Sequence, residues 1–314
     1  MREKVSIIIP LHNNAAYIEE AINSCLHQTH RNIEIIVVEN GSTDDSLAVV
    51  QQVKSDQLKI FSIGAASSAI ARNFGFKQAT GTYIQYLDAD DLLSKNKIES
   101  QLNLISEYSK ETLVTCPWGK FSRLSSEAVF KPDRVWQDYQ QPIEWLIDSW
   151  SDGGMMQTAC WLTHRTLIEK AGPWNEQLKQ NPNDDGEFFC RVILNANQIL
   201  FDSHSKVFYR EPANTNVSTN RSRLAMESLL NSLHAYETEI FKMENTERVR
   251  RARAYNYARY IYELYPREKD LIERAQAYLK ALKVHTPAVG GKNFKMLCKI
   301  LGFQNALATR GLFS

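Results

Sequence analysis

The stretch Gly81-Thr82-Tyr83-Ile84-Gln85-Tyr86-Leu87-Asp88-Ala89-Asp90-Asp91 opens on a turn residue, runs through aromatic and aliphatic side chains, and ends in three carboxylates. Tyr83 to Leu87 has the composition of a buried strand, so the chain is predicted to leave a sheet at Asp88. Carboxylates crowded at a strand end repel one another unless a cation sits among them. A divalent ion shared with a diphosphate would remove that repulsion and neutralise charge on a departing nucleotide. A cap on a helix beginning near Leu92 would account for one acid, such as Asp91, and leave two.

Upstream, the same punctuation repeats. Val5-Ser6-Ile7-Ile8-Ile9 is a β-branched run stopped by Pro10, followed by a helical pattern from about Ala15 to Gln28 that Asn13 or Asn14 can cap. Glu34 to Val38 is a second strand, ending at Glu39-Asn40-Gly41, with Ser42 or Thr43 placed to cap the next helix. Lys59 to Ile63 reads as a third strand and Ser67 to Lys77 as a helix. Strand and helix in alternation argue for a parallel α/β sheet, whose ligands bind beyond the carboxyl ends of the strands. Three polar clusters fall at such ends: Pro10 to Asn13, Glu39 to Ser42, and Asp88 to Asp91.

Further along, Lys97 to Tyr108 reads as a helix and Leu113 to Pro117 as a strand, and Trp- and Tyr-rich connections run from Trp118 to Trp161. Asn183-Asp184-Asp185-Gly186-Glu187 is a second acidic cluster, leading into a helix from Phe188 to Leu194. A cap explains one of its acids; a general base would suit the position if the fold brings it near the first cluster. After Asn220 the pattern is helical to Val284, and Thr286 to Gly291 is a linker before a last short amphipathic helix.

With 314 residues and 43% hydrophobic content, the chain can bury a full core. No apolar stretch approaches bilayer-spanning length, and the first residues lack the order of a secretory leader. Five cysteines without CxxC spacing fit reduced thiols, so a cytoplasmic location is expected. Cys25, His27 and His30 have no second ligand pair at finger-like spacing, which argues against zinc. Net charge is +1, but from Arg274 onward there are seven Lys or Arg and no Asp or Glu.

Taken singly, His12 suits a surface residue, Glu39 a solvated turn acid and Arg72 an ordinary helix surface. Their order and spacing say more. VSIIIPLHNNAAYIEEAINSCLHQTHRNIEIIVVENGSTDDS, ARNFGFKQATGTYIQYLDADD and NDDGEFFCRVI resemble the three main motif blocks of family 2 glycosyltransferases with the GT-A fold, over roughly residues 4 to 211. The resemblance implies a Rossmann-like mixed α/β sheet flanked by helices, with a helical C-terminal extension. The catalytic domain would span 1–215, with a donor half to about 95 and an acceptor half from about 96, and a helical region 216–314. It implies an inverting transferase that moves a sugar from a nucleotide-diphosphate donor to a glycan or lipid-linked acceptor, in surface polysaccharide or glycoconjugate synthesis.

By the same resemblance, Pro10, His12 and Glu39 hold base and ribose, and Arg72 contacts the base. Asp88 is the ribose-side acid and Asp90 the ligand of Mn²⁺ or Mg²⁺. Asp185 is the catalytic base. Trp161, Gly153 to Gln157, Asp184 and Glu187 fall toward the acceptor. Two departures stand out. Glu39-Asn40 replaces the usual pair of aspartates, which opens the base identity between uracil or thymine and guanine. Tyr209-Arg210 is followed by Glu211-Pro212-Ala213-Asn214, with no histidine where many relatives have one.

Two rival readings remain at this level. A sugar nucleotidyltransferase would want a Gly- and Arg-rich loop after the first strand, where this chain has PLHNNAAY. A non-catalytic nucleotide-sugar sensor or scaffold would keep the donor residues without turnover. In the last helix Lys292, Lys295 and Lys299 share one face and Phe294, Leu297 and Leu301 the other. That pattern suits either docking on the protein or peripheral contact with the anionic inner membrane face. Nucleic-acid binding is not expected, because the catalytic part is acidic.

Overall fold

The computed structural model describes residues 3–152, 154–211 and 220–311. Gly153 and Pro212-Ala213-Asn214 lie outside the described residues. The first part alternates as the sequence predicts: β1 (Val5–Leu11), α1 (Ile18–Leu26), β2 (Ile33–Glu39), α2 (Ser46–Gln52), β3 (Leu58–Ser62), α3 (Ser68–Gln78) and β4 (Tyr83–Tyr86). Every residue of β1 and β2 is buried, as expected of strands covered on both faces. Then follow β5 (Leu92–Leu93), α4 (Lys97–Ile105), β6 (Thr112–Thr115), β7 (Trp118–Phe121), β8 (Val129–Phe130), α5 (Pro142–Asp152), β9 (Leu162–His164), α6 (Arg165–Ala171), α7 (Asp184–Leu194), β10 (Gln198–Phe201) and β11 (Val207–Arg210). The helical remainder is α8 (Arg223–Met243), α9 (Glu247–Leu264), α10 (Lys269–Ala281), α11 (Lys292–Leu301) and α12 (Phe303–Gly311).

A seven-stranded sheet has the order β10-β6-β9-β4-β1-β2-β3. β3, β2, β1 and β4 are parallel neighbours, whereas β9 runs antiparallel between β4 and β6. The sheet is therefore mixed. A four-stranded sheet, β5-β11-β7-β8, begins directly after Asp91. α3 lies close on β1: a Cβ at Gly75 would stand 2.5 Å from Ile8 Cγ2, so only glycine permits this approach.

Several local expectations are corrected. α1 begins at Ile18 rather than Ala15, and no side chain caps it; Asn13 instead adopts a left-handed φ of 52°. Asn13 Oδ1 accepts from Thr43 N–H, so it ties the β1–α1 loop to the β2–α2 loop. α2 begins at Ser46, after Ser42 and Thr43, and Asp44 accepts from the N–H groups of Ser46 and Ala15. Asp91 caps no helix. Leu92–Leu93 pairs with β11 instead, and Asp91 Oδ1 accepts from Arg210 N–H at 2.9 Å. The last helix is in fact two, α11 and α12, separated at Gly302 with φ 76°.

The chain divides into two compact units: Met1–Pro142, Met155–Gln177 and Asp184–Asn216 form one, and Ile143–Gly154, Leu178–Asn183 and Val217–Ser314 the other. Within the second, Trp150 of α5 stacks on Tyr236 of α8 with ring centroids 5.7 Å apart. Both rings flank Arg253, which is fully buried. No helix among the described residues is long and apolar enough to cross a membrane.

Candidate active site

Because β2, β1 and β4 are adjacent and parallel, their carboxyl ends leave the sheet side by side, carrying Glu39, Pro10 to Asn13, and Asp88. Pro10 is buried in β1, opposite Val38, while His12 is exposed beyond the strand end. Glu39 is 4% exposed. Its Oε1 accepts from the N–H groups of Gly41 at 2.7 Å and Ser42 at 2.5 Å, and Oε2 accepts from Ser62 Oγ at 2.6 Å. Burial pushes this carboxyl up, but the hydrogen bonds from Ser62, Ser42 and Gly41 outweigh that and hold it below the usual carboxylate range. Glu39 is thus a fixed anion, with Oε2 keeping capacity for one more donor. The turn depends on Gly41, whose φ is 88° and whose Cβ would meet Ala65 Cα at 2.6 Å. Next to it, Asn40 is buried; its Nδ2 donates to Ala66 carbonyl at 2.7 Å, and Oδ1 has no partner among the described residues.

Arg72 organises the second group. It projects from α3, 5% exposed, and donates through Nη2 to Asp88 Oδ1 at 2.8 Å and through Nη1 to Asp184 Oδ2 at 2.9 Å. Its guanidinium lies 4.4 Å from the ring centre of Trp174. Burial alone would weaken the charge, but Asp184 and Asp88 hold Arg72 firmly protonated. The neighbouring Asn73 clamps Trp174 from both sides of the peptide: Nδ2 donates to its carbonyl at 2.9 Å and Oδ1 accepts its N–H at 2.8 Å. Two consecutive residues thus position both the cation and the ring beneath it. Ser68 Oγ adds a 3.0 Å hydrogen bond to Asp184.

Asp184 and Asp185 form the first turn of α7, where the helix dipole favours anions. Asp185 accepts from Thr158 Oγ1 at 3.3 Å and from Gly186 N–H at 2.8 Å. Burial and the adjacent charge of Asp184 push its pKa up to about 7, against the lowering influence of Arg72. Asp90 is pushed up to about 6, first by burial and then by the charge of Asp88. Asp91, 2% exposed, is also raised well above the usual carboxylate range, by burial and then by Asp90 and Asp88. Asp90, Asp91 and Asp185 are thus acids whose charges receive only partial compensation.

Arg210 supplies part of it. It is 4% exposed; its Nε donates to the Asp90 carbonyl at 3.0 Å and Nη2 to Glu20 at 2.5 Å. The rings of Tyr17 and Phe121 lie 4.6 and 4.4 Å from its guanidinium. The β5–β11 pairing delivers it there, and the Tyr209-Arg210 motif alone gave it no role. Trp174 and Thr158 were equally silent in the sequence, since nothing local distinguishes them from core residues.

The acceptor-side expectations fare differently. Trp161 is 2% exposed and stacks on Phe189 at 5.5 Å, so no ring face is left for a sugar. Glu187 is 5% exposed and chelates Arg191, its i+4 neighbour, through both oxygens. That is a helix-stabilising pair. Asp184 is the partner of Arg72. Of Gly154 to Gln157, Met156 and Gln157 are buried and Met155 is 46% exposed.

No group of three or more His, Cys, Asp or Glu among the described residues is arranged to hold a metal ion. Asp90 is the residue that would hold a divalent cation, which would supply positive charge for a diphosphate. Its raised pKa marks a carboxylate that a positive neighbour would favour.

The sequence profile of Glycosyl transferase family 2 matches residues 6–171. An uncharacterized glycosyltransferase of Rickettsia typhi is 32% identical over 237 residues, covering 74% of this chain and 69% of the relative. Further relatives match over about a third of this chain and 17% to 42% of their own length. Among solved structures, residues 1–349 of S. aureus TarS in complex with UDP-GlcNAc superpose with a TM-score of 0.73 at 17% identity, over 97% of this chain and 89% of that one. A mannosyltransferase from Pyrobaculum calidifontis, in complex with GDP-Man and Mn2+, has a TM-score of 0.56 at 16% identity, over 99% and 88%. The shared fold with these transferases is GT-A.

Proposed function

Because the chain belongs to glycosyl transferase family 2, we propose that it moves a sugar from a nucleotide-diphosphate donor to an acceptor hydroxyl with inversion, Asp185 being the base. The observation that carries this reading is the bridge of Arg72 between Asp88, after β4, and Asp184, at the start of α7. It joins Asp88 at the strand end to Asp184, the immediate neighbour of Asp185, although 112 residues separate Arg72 from Asp184.

In this reading Glu39 Oε2 and the unpartnered Asn40 Oδ1 accept N–H groups of the base, with Pro10 and His12 along its edge. Asp88 takes a ribose hydroxyl. Asp90 would hold Mn²⁺ or Mg²⁺, and the ion when bound supplies positive charge to the diphosphate. Asp185 accepts the proton of the acceptor hydroxyl while that oxygen attacks the anomeric carbon from the face opposite the diphosphate. The carbon–oxygen bond to the diphosphate breaks as the new one forms, and the nucleotide leaves with the electron pair. One displacement inverts the anomeric centre. A glycan or lipid-linked acceptor, in polysaccharide or glycoconjugate synthesis, is the expected partner.

Thermal stabilisation by a panel of uridine, guanosine and thymidine diphosphate sugars, with and without Mn²⁺, tests the reading. One base class should stabilise the protein, by about 2.7 kcal/mol at a hundredfold excess over Kd. Asp90→Ala should lose the Mn²⁺-dependent increment. If no nucleotide sugar stabilises the protein, the donor site is wrong. Tight binding without hydrolysis or transfer would replace the transferase with a sensor.

A further inference from the structure

α11 has two unlike sides. Phe294 is 8% exposed and meets the rings of Tyr262 at 4.7 Å and Phe303 at 6.3 Å, so one edge of the helix is docked within the C-terminal unit. At about 100° per residue, Lys292, Lys295, Met296, Lys299 and Ile300 fall on the opposite arc. Met296 is 61% exposed and Ile300 72%. Lys292 and Lys299 are exposed and Lys295 is half-buried.

The sequence pattern left docking on the protein and contact with a membrane face both open. Of the stripe Phe294, Leu297 and Leu301, Phe294 is docked and Leu301 is 40% exposed, while Met296 and Ile300 stand in the open among lysines. Along the chain itself no Asp or Glu follows Glu273, so α11 carries basic side chains and no acid of its own. Lysines alone would suit any polyanion. Exposed Met and Ile between them would contribute nothing to a phosphate backbone, but they suit the boundary between headgroups and acyl chains.

We propose that α11 docks the protein peripherally on an anionic lipid surface, with Met296 and Ile300 entering the interface and the exposed Lys292 and Lys299 pairing with headgroup phosphates. Removing each lysine should weaken partitioning by about fivefold, and the interaction should fade as salt rises. This inference stands apart from the transferase chemistry, since none of its residues belongs to the candidate active site.

The experiment is co-sedimentation of the full chain with vesicles of phosphatidylcholine alone or mixed with phosphatidylglycerol. The unaltered protein should pellet with the anionic vesicles and not with the neutral ones. A Lys292→Gln, Lys299→Gln variant should partition roughly twenty-five-fold less. A Met296→Ser, Ile300→Ser variant should also lose binding, and unchanged melting temperatures would show that both variants fold. The proposal is overturned if the full chain ignores anionic vesicles, or if the Met296/Ile300 variant partitions as well as the parent. Binding to duplex DNA or RNA in place of vesicles, indifferent to Met296 and Ile300, would also overturn it and mark α11 as a polyanion site.

Discussion

Asp185 owes its chemistry to two neighbours of opposite effect. Burial and Asp184 raise its proton affinity, and Arg72 restrains the rise, leaving a pKa of about 7. A base must be unprotonated to act, so kcat/KM should climb with pH through an apparent pKa near 7 and level off above it. Asp185→Asn should cut kcat by a factor of about a hundred to ten thousand while donor affinity stays within about twofold. Steady-state kinetics on acceptor transfer, with donor binding measured separately, check both outcomes; unchanged turnover would remove Asp185 from the mechanism. The sequence marked Asp185 as one of three acids near a helix start. What it left out was the Arg72 bridge that distinguishes Asp184, a partner of the cation, from Asp185.

At the scale of elements, Glu34 staples four strands. It accepts from Ser6 Oγ on β1 at 2.6 Å, from Thr80 N–H ahead of β4 at 2.7 Å, and from Lys59 on β3 at 2.8 Å. Burial raises its carboxyl, but Lys59, Ser6 and Thr80 more than reverse that and hold it far below the usual range. A folded pKa below the unfolded one means that stabilisation is complete above about pH 4.3 and fades as pH falls below it. Glu34→Ala should therefore cost about 3 kcal/mol near neutral pH, because Ser6 and Thr80 lose a buried acceptor. The gap between the urea midpoints of the two proteins should narrow as the pH is lowered from 5 toward 3; a constant gap would deny the ionised staple. The strands it joins were legible from their apolar runs, whereas β5, with two residues, and β9, with three, are too short to leave a periodic signal. Their pairing is decided by neighbours distant in sequence.

At the scale of the whole molecule, the C-terminal unit has a core of its own, built round a buried charge. Arg253 is fully buried, donates to the Leu233 carbonyl at 2.5 Å and lies 4.6, 5.3 and 5.4 Å from the rings of Trp150, Tyr236 and Tyr257. Arg253→Ala should destabilise this unit by about 3 to 5 kcal/mol, leaving a cavity among aromatic rings. Arg253→Met, which keeps the volume and removes the charge, should lose clearly less. Thermal unfolding of the two variants decides the matter, and equal losses would mean that the charge itself is indispensable.

By itself the sequence determined the alternating α/β order of the first ninety or so residues, the helical remainder, and the polar clusters at strand ends. These are local properties: buried strands read as continuous apolar runs, and helices repeat over three or four positions. Tertiary structure alone decided that Asp91 pairs with Arg210 instead of capping a helix, that Trp161 is core, and that Met296 rather than Phe294 faces outward on α11. It also decided that Arg72 links Asp88 to Asp184. Each of those outcomes depends on a partner tens of residues away or on which side of an element its neighbours cover. Local periodicity carries no information about either, so chain folding had to supply it.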